Sequence, residues 1–85
     1  MNIVINGGTK GIGREIALQL SGDKNNKILV TGRDVTALGK LSTEAENGNI
    51  ITFRFDLSDY QKYKKEFLTA VRSWSDGIDI LINTA

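Results

Sequence analysis

Apolar positions in this chain fall into two patterns that alternate along it. Short runs rich in Ile and Val (Ile3-Val4-Ile5, Ile28-Leu29-Val30, Ile50-Ile51, Ile80-Leu81-Ile82) are separated by stretches in which apolar residues recur every three or four positions. The first pattern reads as strands, the run Ile3-Val4-Ile5 as one buried on both faces of a parallel sheet, and the second as amphipathic helices. The spacing predicts strand β1 over Asn2 to Asn6, then helix α1 with an Ile12, Ile16, Leu20 stripe stopped by Gly22 and the polar loop Asp23-Lys24-Asn25-Asn26. Strand β2 follows over Lys27 to Thr31. Helix α2 starts at Val35 and carries Leu38, Leu41 and Ala45, with Gly39 as a weak point worth about 1 kcal/mol relative to Ala. Asn47-Gly48 could signal a hairpin, but helical residues precede it, so it reads as a helix-to-strand turn into β3, Asn49 to Phe55. Ser58 or Asp59 can cap helix α3, in which Tyr60, Tyr63, Phe67, Val71 and Trp74 form an aromatic stripe suited to packing on the sheet. Asp76-Gly77 closes α3, and β4 runs from Ile78 to Ile82.

Strands that alternate with helices imply parallel pairing, and right-handed crossovers then restrict the layout. The expected fold is α/β, a partial Rossmann-type parallel sheet of βαβαβαβ topology in the order 3-2-1-4. Helices α1 and α2 should lie on one face and α3 on the other. The reversal of direction at β1/β4 makes a crevice beyond the carboxyl ends of the strands, where ligands bind in such sheets.

That crevice receives Asn6-Gly7-Gly8-Thr9-Lys10-Gly11-Ile12-Gly13, a strand end that turns through glycines straight into a helix. Glycine permits positive φ and close backbone approach, while the first N–H groups of a helix and the positive end of its dipole face an anion. A bare tight turn would share the glycines. The spacing Gly7-x-x-x-Gly11-x-Gly13 is neither G-x-G-x-x-G nor a nucleoside-triphosphate loop, which needs G-x-x-x-x-G-K-[ST]. At the end of β2, about 20 residues beyond the loop, where dinucleotide folds read the adenosine ribose, stands Gly32-Arg33-Asp34. A guanidinium there suits a phosphate, to which its planar fork can donate two charge-assisted hydrogen bonds. A solvated Arg at a strand end is the plainer reading.

Composition narrows the functional classes. The chain has 85 residues, enough for one small domain with a modest core, and 40% of them are apolar. Lys plus Arg number 11 against 10 Asp plus Glu, with no basic run paired with aromatics, so neither nucleic acid nor a membrane surface is an expected partner. No apolar segment approaches the roughly 20 residues of a membrane span, and no signal-peptide pattern opens the chain. A cytoplasmic location is the default expectation. With no Cys and no His, disulfides, thiolate metal sites and the commonest general base are excluded.

Taken together these motifs resemble the short-chain dehydrogenase/reductase family. The loop is similar to its T-G-x-x-x-G-x-G, with Asn6 in place of Thr. Asp56-Leu57 after β3 is similar to the Asp-Val or Asp-Leu pair that meets adenine, although Asp56 could equally cap α3. Asn83-Thr84-Ala85 resembles the start of Asn-Asn-Ala-Gly, with Thr84 for the second Asn. The matches span the whole chain in the right order. The resemblance implies that residues 1–85 are the cofactor-binding N-terminal half of such a domain, similar to 3-oxoacyl carrier-protein reductases, without the catalytic half. It implies cofactor contacts from Gly7, Thr9, Lys10, Gly11, Ile12, Gly13, Arg33, Asp56, Leu57, Asn83 and Ala85, and no catalytic or metal-binding residue. NADP is implied over NAD. Acid-bearing members keep the acid where Gly32 stands, and NADP-preferring members often carry Arg next and a basic residue at the place of Lys10; Asp34 argues the other way.

The parent protein would then be an oxidoreductase interconverting carbonyl and alcohol groups of a small molecule by hydride transfer, and a homo-oligomer. A non-enzymatic nucleotide-binding module acting through a partner is the alternative. An unpaired apolar β4 edge would itself favour self-association. Tyr60 and Lys64 have the family's Tyr-x-x-x-Lys spacing, but they precede β4, whereas the catalytic helix follows the fifth strand, so the pair is rejected.

Overall fold

A computed structural model describes residues 1–55, 60–74 and 77–84, with the side chains of residues 60, 61 and 63 outside the description. Its elements are β1 (Asn2–Asn6), α1 (Gly11–Ser21), β2 (Lys27–Gly32), α2 (Val35–Glu44), β3 (Ile50–Arg54), α3 (Tyr60–Trp74) and β4 (Ile80–Asn83). The four strands form one parallel sheet in the order β3-β2-β1-β4, as the alternation of patterns requires.

Register explains why the central strands are apolar on both sides. Ile3 pairs with Ile28 and Ile80, and Ile5 with Val30 and Ile82, so these residues share one face. They pack with Ala17 of α1, Leu38 and Leu41 of α2, and Ala45. Val4 and Leu29 face the opposite way and meet Phe53, Phe67, Val71 and Trp74. Helix α3 therefore packs on the middle of the second face, where Ile51 and Leu81, in register with Leu29 and Val4, remain 49% and 61% exposed. Its expected stripe is a core stripe from Phe67 onward: Phe67 stacks on Phe55 with ring centroids 5.0 Å apart and meets Phe53 edge-on at 5.9 Å. Tyr60, Tyr63 and the capping candidates Ser58 and Asp59 contribute side chains outside the described residues.

The α1 stripe differs from expectation at its first residue, whereas the α2 stripe Leu38, Leu41 and Ala45 is buried as expected. Ile12 is 76% exposed and Val35 62% exposed, because each sits in the first turn of its helix, beyond the end of the sheet. The surface that α1 buries is Gly13, Ala17 and Ser21, with Ile16 and Leu20 packed at its side. Small residues on the contact line let the helix axis lie close to the sheet. β4 begins at Ile80 rather than Ile78, since Asp79 turns back to receive the Asn2 N–H on its carboxylate (2.7 Å) while the Asn2 side chain donates to the Gly77 carbonyl (3.0 Å).

At the amino ends of the strands, asparagines tie down the carboxyl end of α1. Gly22 keeps a right-handed φ of −62°, so the helix does not end in a left-handed cap. Its last carbonyls accept from side-chain amides instead. Asn26 donates to Leu20 O, Asn47 to Ser21 O (2.8 Å), and Asn49 Nδ2 lies within reach of Ser21, Asp23 and Asn26 carbonyls. Asn47-Gly48 is indeed a helix-to-strand turn, with Gly48 at φ +62°. Arg14 pairs with Glu44 across α1 and α2.

Gly39 lies in the exposed middle of α2, and a Cβ there would meet nothing within 4 Å. Gly39→Ala should stabilise the protein by about 1 kcal/mol through helix propensity, which corresponds to about 4–8 °C in the thermal midpoint for a domain of this size. A midpoint that fails to rise in thermal denaturation would show that the glycine answers a contact made elsewhere.

Candidate functional site

The site is built where β1 stops. Two successive peptide planes there are held from both sides. The N–H groups of Gly7 and Gly8 both donate to Thr31 O of β2, at 3.0 and 3.2 Å. The carbonyls of the same two planes face β4. Asn6 O accepts from the Thr84 N–H (3.0 Å), and the Thr84 hydroxyl lies 3.0 Å from both Asn6 O and Gly7 O. The Thr31 hydroxyl donates to Asn6 Oδ1 (2.9 Å), fixing the side chain that stands where the resembled motif has Thr. Gly7 needs its glycine for conformation, with φ at +83°.

This arrangement decides which donors face a ligand. The Gly7 and Gly8 N–H groups are already paired with β2, so an anion beyond β1 would be met by the later amides, those of the first turn of α1. The helix begins at Gly11, and its N-cap residue Lys10 is extended and makes no side-chain cap hydrogen bond. Its leading N–H groups therefore lack the usual side-chain acceptor, and the positive end of the helix dipole opens onto the crevice. Among the described residues no acidic side chain occupies that first turn.

Space is as controlled as hydrogen bonding. A Cβ on Gly13 would lie 2.6 Å from Thr84 Oγ1 and 2.8 Å from Gly7 O, so the glycine allows α1, the loop and β4 to meet at one point. A Cβ on Gly8 would lie 2.5 Å from Val30 Cγ1. The loop cannot retreat into the sheet.

At the end of β2 the two charged neighbours separate in role. Asp34 is the N-cap of α2, and its Oδ1 accepts from the N–H groups of Thr36 (2.9 Å) and Ala37 (3.2 Å). Arg33 is exposed and has no hydrogen bond or ion pair among the described residues, and the same is true of the Lys10 side chain. At this corner one carboxylate oxygen is thus engaged by two backbone amides, while the Arg33 guanidinium is open to solvent.

Of the residues singled out from sequence, Gly7, Thr9, Lys10, Gly11, Ile12 and Gly13 form one continuous loop and helix start at the carboxyl end of the sheet. Arg33 lies at the end of the adjacent strand and Asn83 ends β4, paired with Asn6 in register. Asp56, Leu57 and Ala85 lie outside the described residues. Tyr60 opens α3, between β3 and β4, as its place in the sequence requires. Sequence reading treated Thr84 only as a departure from a motif and passed over Thr31. Their roles depend on contacts between residues 25 and 78 positions apart, which no local signal carries. The Asp34 cap was missed too, since Asp34 was weighed only against the NADP preference, although an Asp directly before a helix is a signal that could have found it.

The family model described as short chain dehydrogenase matches residues 1–85. Among solved structures, a short chain dehydrogenase from Bacillus anthracis is similar with a TM-score of 0.83 and 28% identity, over 99% of this chain and 34% of that one. A structure provisionally described as a betaketoacyl-ACP reductase gives a TM-score of 0.79 at 26% identity, over 100% and 33%. Serine dehydrogenase from Escherichia coli gives 0.78 at 25% identity, over 95% and 36%. The chain thus spans about a third of the length of these relatives.

Thr84→Val keeps the side-chain shape and deletes the hydroxyl that holds both peptide planes. With about 0.5–1.5 kcal/mol removed from the clamp, amide hydrogen exchange at Gly7 and Gly8 should quicken by roughly three- to tenfold, and Thr84→Ser should restore it. Unchanged exchange in Thr84→Val would mean that Thr31 holds the planes unaided.

Proposed function

The chain belongs to the short-chain dehydrogenase/reductase family, and on that premise we propose that it is the NADP(H)-binding portion of an oxidoreductase that interconverts a carbonyl and an alcohol on a small molecule. Membership implies a nicotinamide cofactor. The preference for the 2′-phosphorylated form is our reading, and one observation carries it: at the end of β2 the carboxylate of Asp34 is turned onto α2 while the guanidinium of Arg33 is left open.

The residues present fit such a group. The uncapped first turn of α1 offers N–H donors to the pyrophosphate, with Gly11 keeping the exposed backbone clear and Gly13 letting the helix seat against the loop and Thr84. Arg33 can donate two charge-assisted hydrogen bonds to the 2′-phosphate, and Lys10 adds a second positive charge close by in sequence to the same loop. Asp56 and the Leu57 amide are assigned to adenine, and Asn83 and Ala85 to the wall of the crevice beyond β4. When bound, the cofactor supplies the hydride. On this reading the chain's part is binding and orientation, and Tyr60 and Lys64 are assigned no part in proton transfer. Substrate and acid–base groups belong to the part of the protein outside these residues, which we take to assemble as a homo-oligomer, as many members of the family do. Among the described residues no helix is long and apolar enough to cross a membrane.

Arg33→Ala should weaken NADPH binding roughly tenfold or more, the equivalent of one charged hydrogen bond of about 1.5–3 kcal/mol, and leave NADH nearly unchanged in calorimetric titration. Equal losses for the two cofactors would sink the assignment of Arg33 to the 2′-phosphate. Asp34→Ser should keep the helix cap and leave the ratio of the two affinities where it was; a shift of that ratio toward NADPH would show that the carboxylate reads the ribose after all.

A further inference from the structure

We propose that Thr9 determines cofactor preference by filling the position from which a carboxylate would read the ribose 2′-hydroxyl, an inference that rests on the cofactor reading above. Dinucleotide folds place that carboxylate at the end of β2, and in this chain the place is held by Gly32, the last residue of the strand. Gly32 is buried, and its φ is not in the left-handed region, so the backbone itself does not call for glycine. The neighbour does. A Cβ on Gly32 would lie 2.5 Å from the methyl Cγ2 of Thr9, 3.4 Å from its hydroxyl oxygen and 3.5 Å from its Cβ. Carbon atoms in ordinary contact sit about 3.5–4.0 Å apart, so the methyl alone closes the site.

Neither partner is free to withdraw. The Gly32 carbonyl accepts from the Phe55 N–H at 2.8 Å, which ties the end of β2 to β3. On the other side Thr9 follows Gly8, whose N–H is bound to Thr31 O and whose Cα packs on Val30 and Ile5 so closely that a Cβ there would meet Val30 Cγ1 at 2.5 Å. A β-branched side chain between two such anchors has few rotamers to exchange. With position 32 closed by a methyl and Asp34 turned onto α2, no acid at this strand end faces the ribose, and the adenosine corner is left to cations. The ligand class that matches is an adenosine nucleotide phosphorylated at the 2′-oxygen. Thr9 is thus a specificity-determining residue through packing, whatever its hydroxyl contributes to binding.

Two measurements separate this from the cofactor reading itself. In calorimetric titration, Gly32→Asp alone should lose NADPH binding tenfold or more without gaining NADH, because the added carboxylate cannot take its place. The double variant Thr9→Ser with Gly32→Asp should bind NADH at least tenfold more tightly than Gly32→Asp, since serine keeps the hydroxyl and removes only the methyl. Equal NADH affinity in the single and double variants would overturn the proposal. The second measurement needs no cofactor: Gly32→Ala should lower the thermal midpoint in the wild-type background and by less than half as much alongside Thr9→Ser, a coupling expected only of residues in contact. Equal falls in both backgrounds would also overturn it, even where Gly32→Asp fails to fold. A wild-type protein that binds both cofactors equally while the Gly32→Ala coupling persists would remove the NADP reading and Thr9's part in specificity with it, leaving a packing contact alone.

Discussion

Two peptide planes at the end of β1, pinned by Thr31 on one side and Thr84 on the other, are the constraint on which the rest of the site depends. They settle the direction in which the chain leaves the sheet. They also remove the Gly7 and Gly8 amides from the set of available donors, so that the anion-binding capacity of the loop passes to the uncapped start of α1. A glycine loop is commonly pictured as a ring of N–H groups around a phosphate. In this chain the first glycines serve to hold the loop still, and the donors left without a side-chain acceptor are those of the helix start. Because the clamp reaches from β2 to β4, the loop has its shape only when the middle of the sheet is complete, which joins the integrity of the fold to the integrity of the site.

Charge follows the same division. The carboxyl end of the sheet has exposed cations at Lys10 and Arg33 without partners among the described residues, and Oδ1 of the neighbouring Asp34 is occupied by the amides of α2. The opposite end is finished with neutral amides donated to the carbonyls of α1. The helix dipole is therefore terminated by hydrogen bonds at its negative end and left open at its positive end, where the ligand would lie.

Much of this was legible in the sequence for a physical reason. Strands of a parallel sheet are rich in Ile, Val and Leu, and four such runs mark them, although only β1 and β2 are buried on both faces while Ile51 of β3 and Leu81 of β4 stay exposed; the alternation with helices then points to parallel order. The glycine loop and Arg33 were legible because their chemistry is local. Ile12 misled because periodicity shows which side of a helix is apolar but not where the sheet beneath it ends. The true contact line of α1, through Gly13, Ala17 and Ser21, was hidden because small residues hardly register as hydrophobic, yet it is their smallness that brings the helix in. The roles of Thr84 and of the Thr9 methyl come from close approach between distant segments, and chain spacing holds no record of that.

The amide latch at the far end carries a chemical liability of its own. Asn47 precedes Gly48, and an asparagine followed by an unhindered glycine amide is prone to cyclise and hydrolyse to a carboxylate. Its Nδ2 donates to the Ser21 and Gly22 carbonyls at 2.8 and 3.2 Å. Hydrolysis would replace that donor with a negative charge facing two carbonyl oxygens at the negative end of a helix, so attraction would become repulsion. The hydrogen bond that the Gly48 N–H donates to Ala45 O (3.2 Å) holds the attacking nitrogen away from the side chain and so opposes the reaction. Hydrolysis at Asn47 would thus act on the tail of α1, at the opposite end of the helix from the glycine loop, and loosen the element on which the site is mounted.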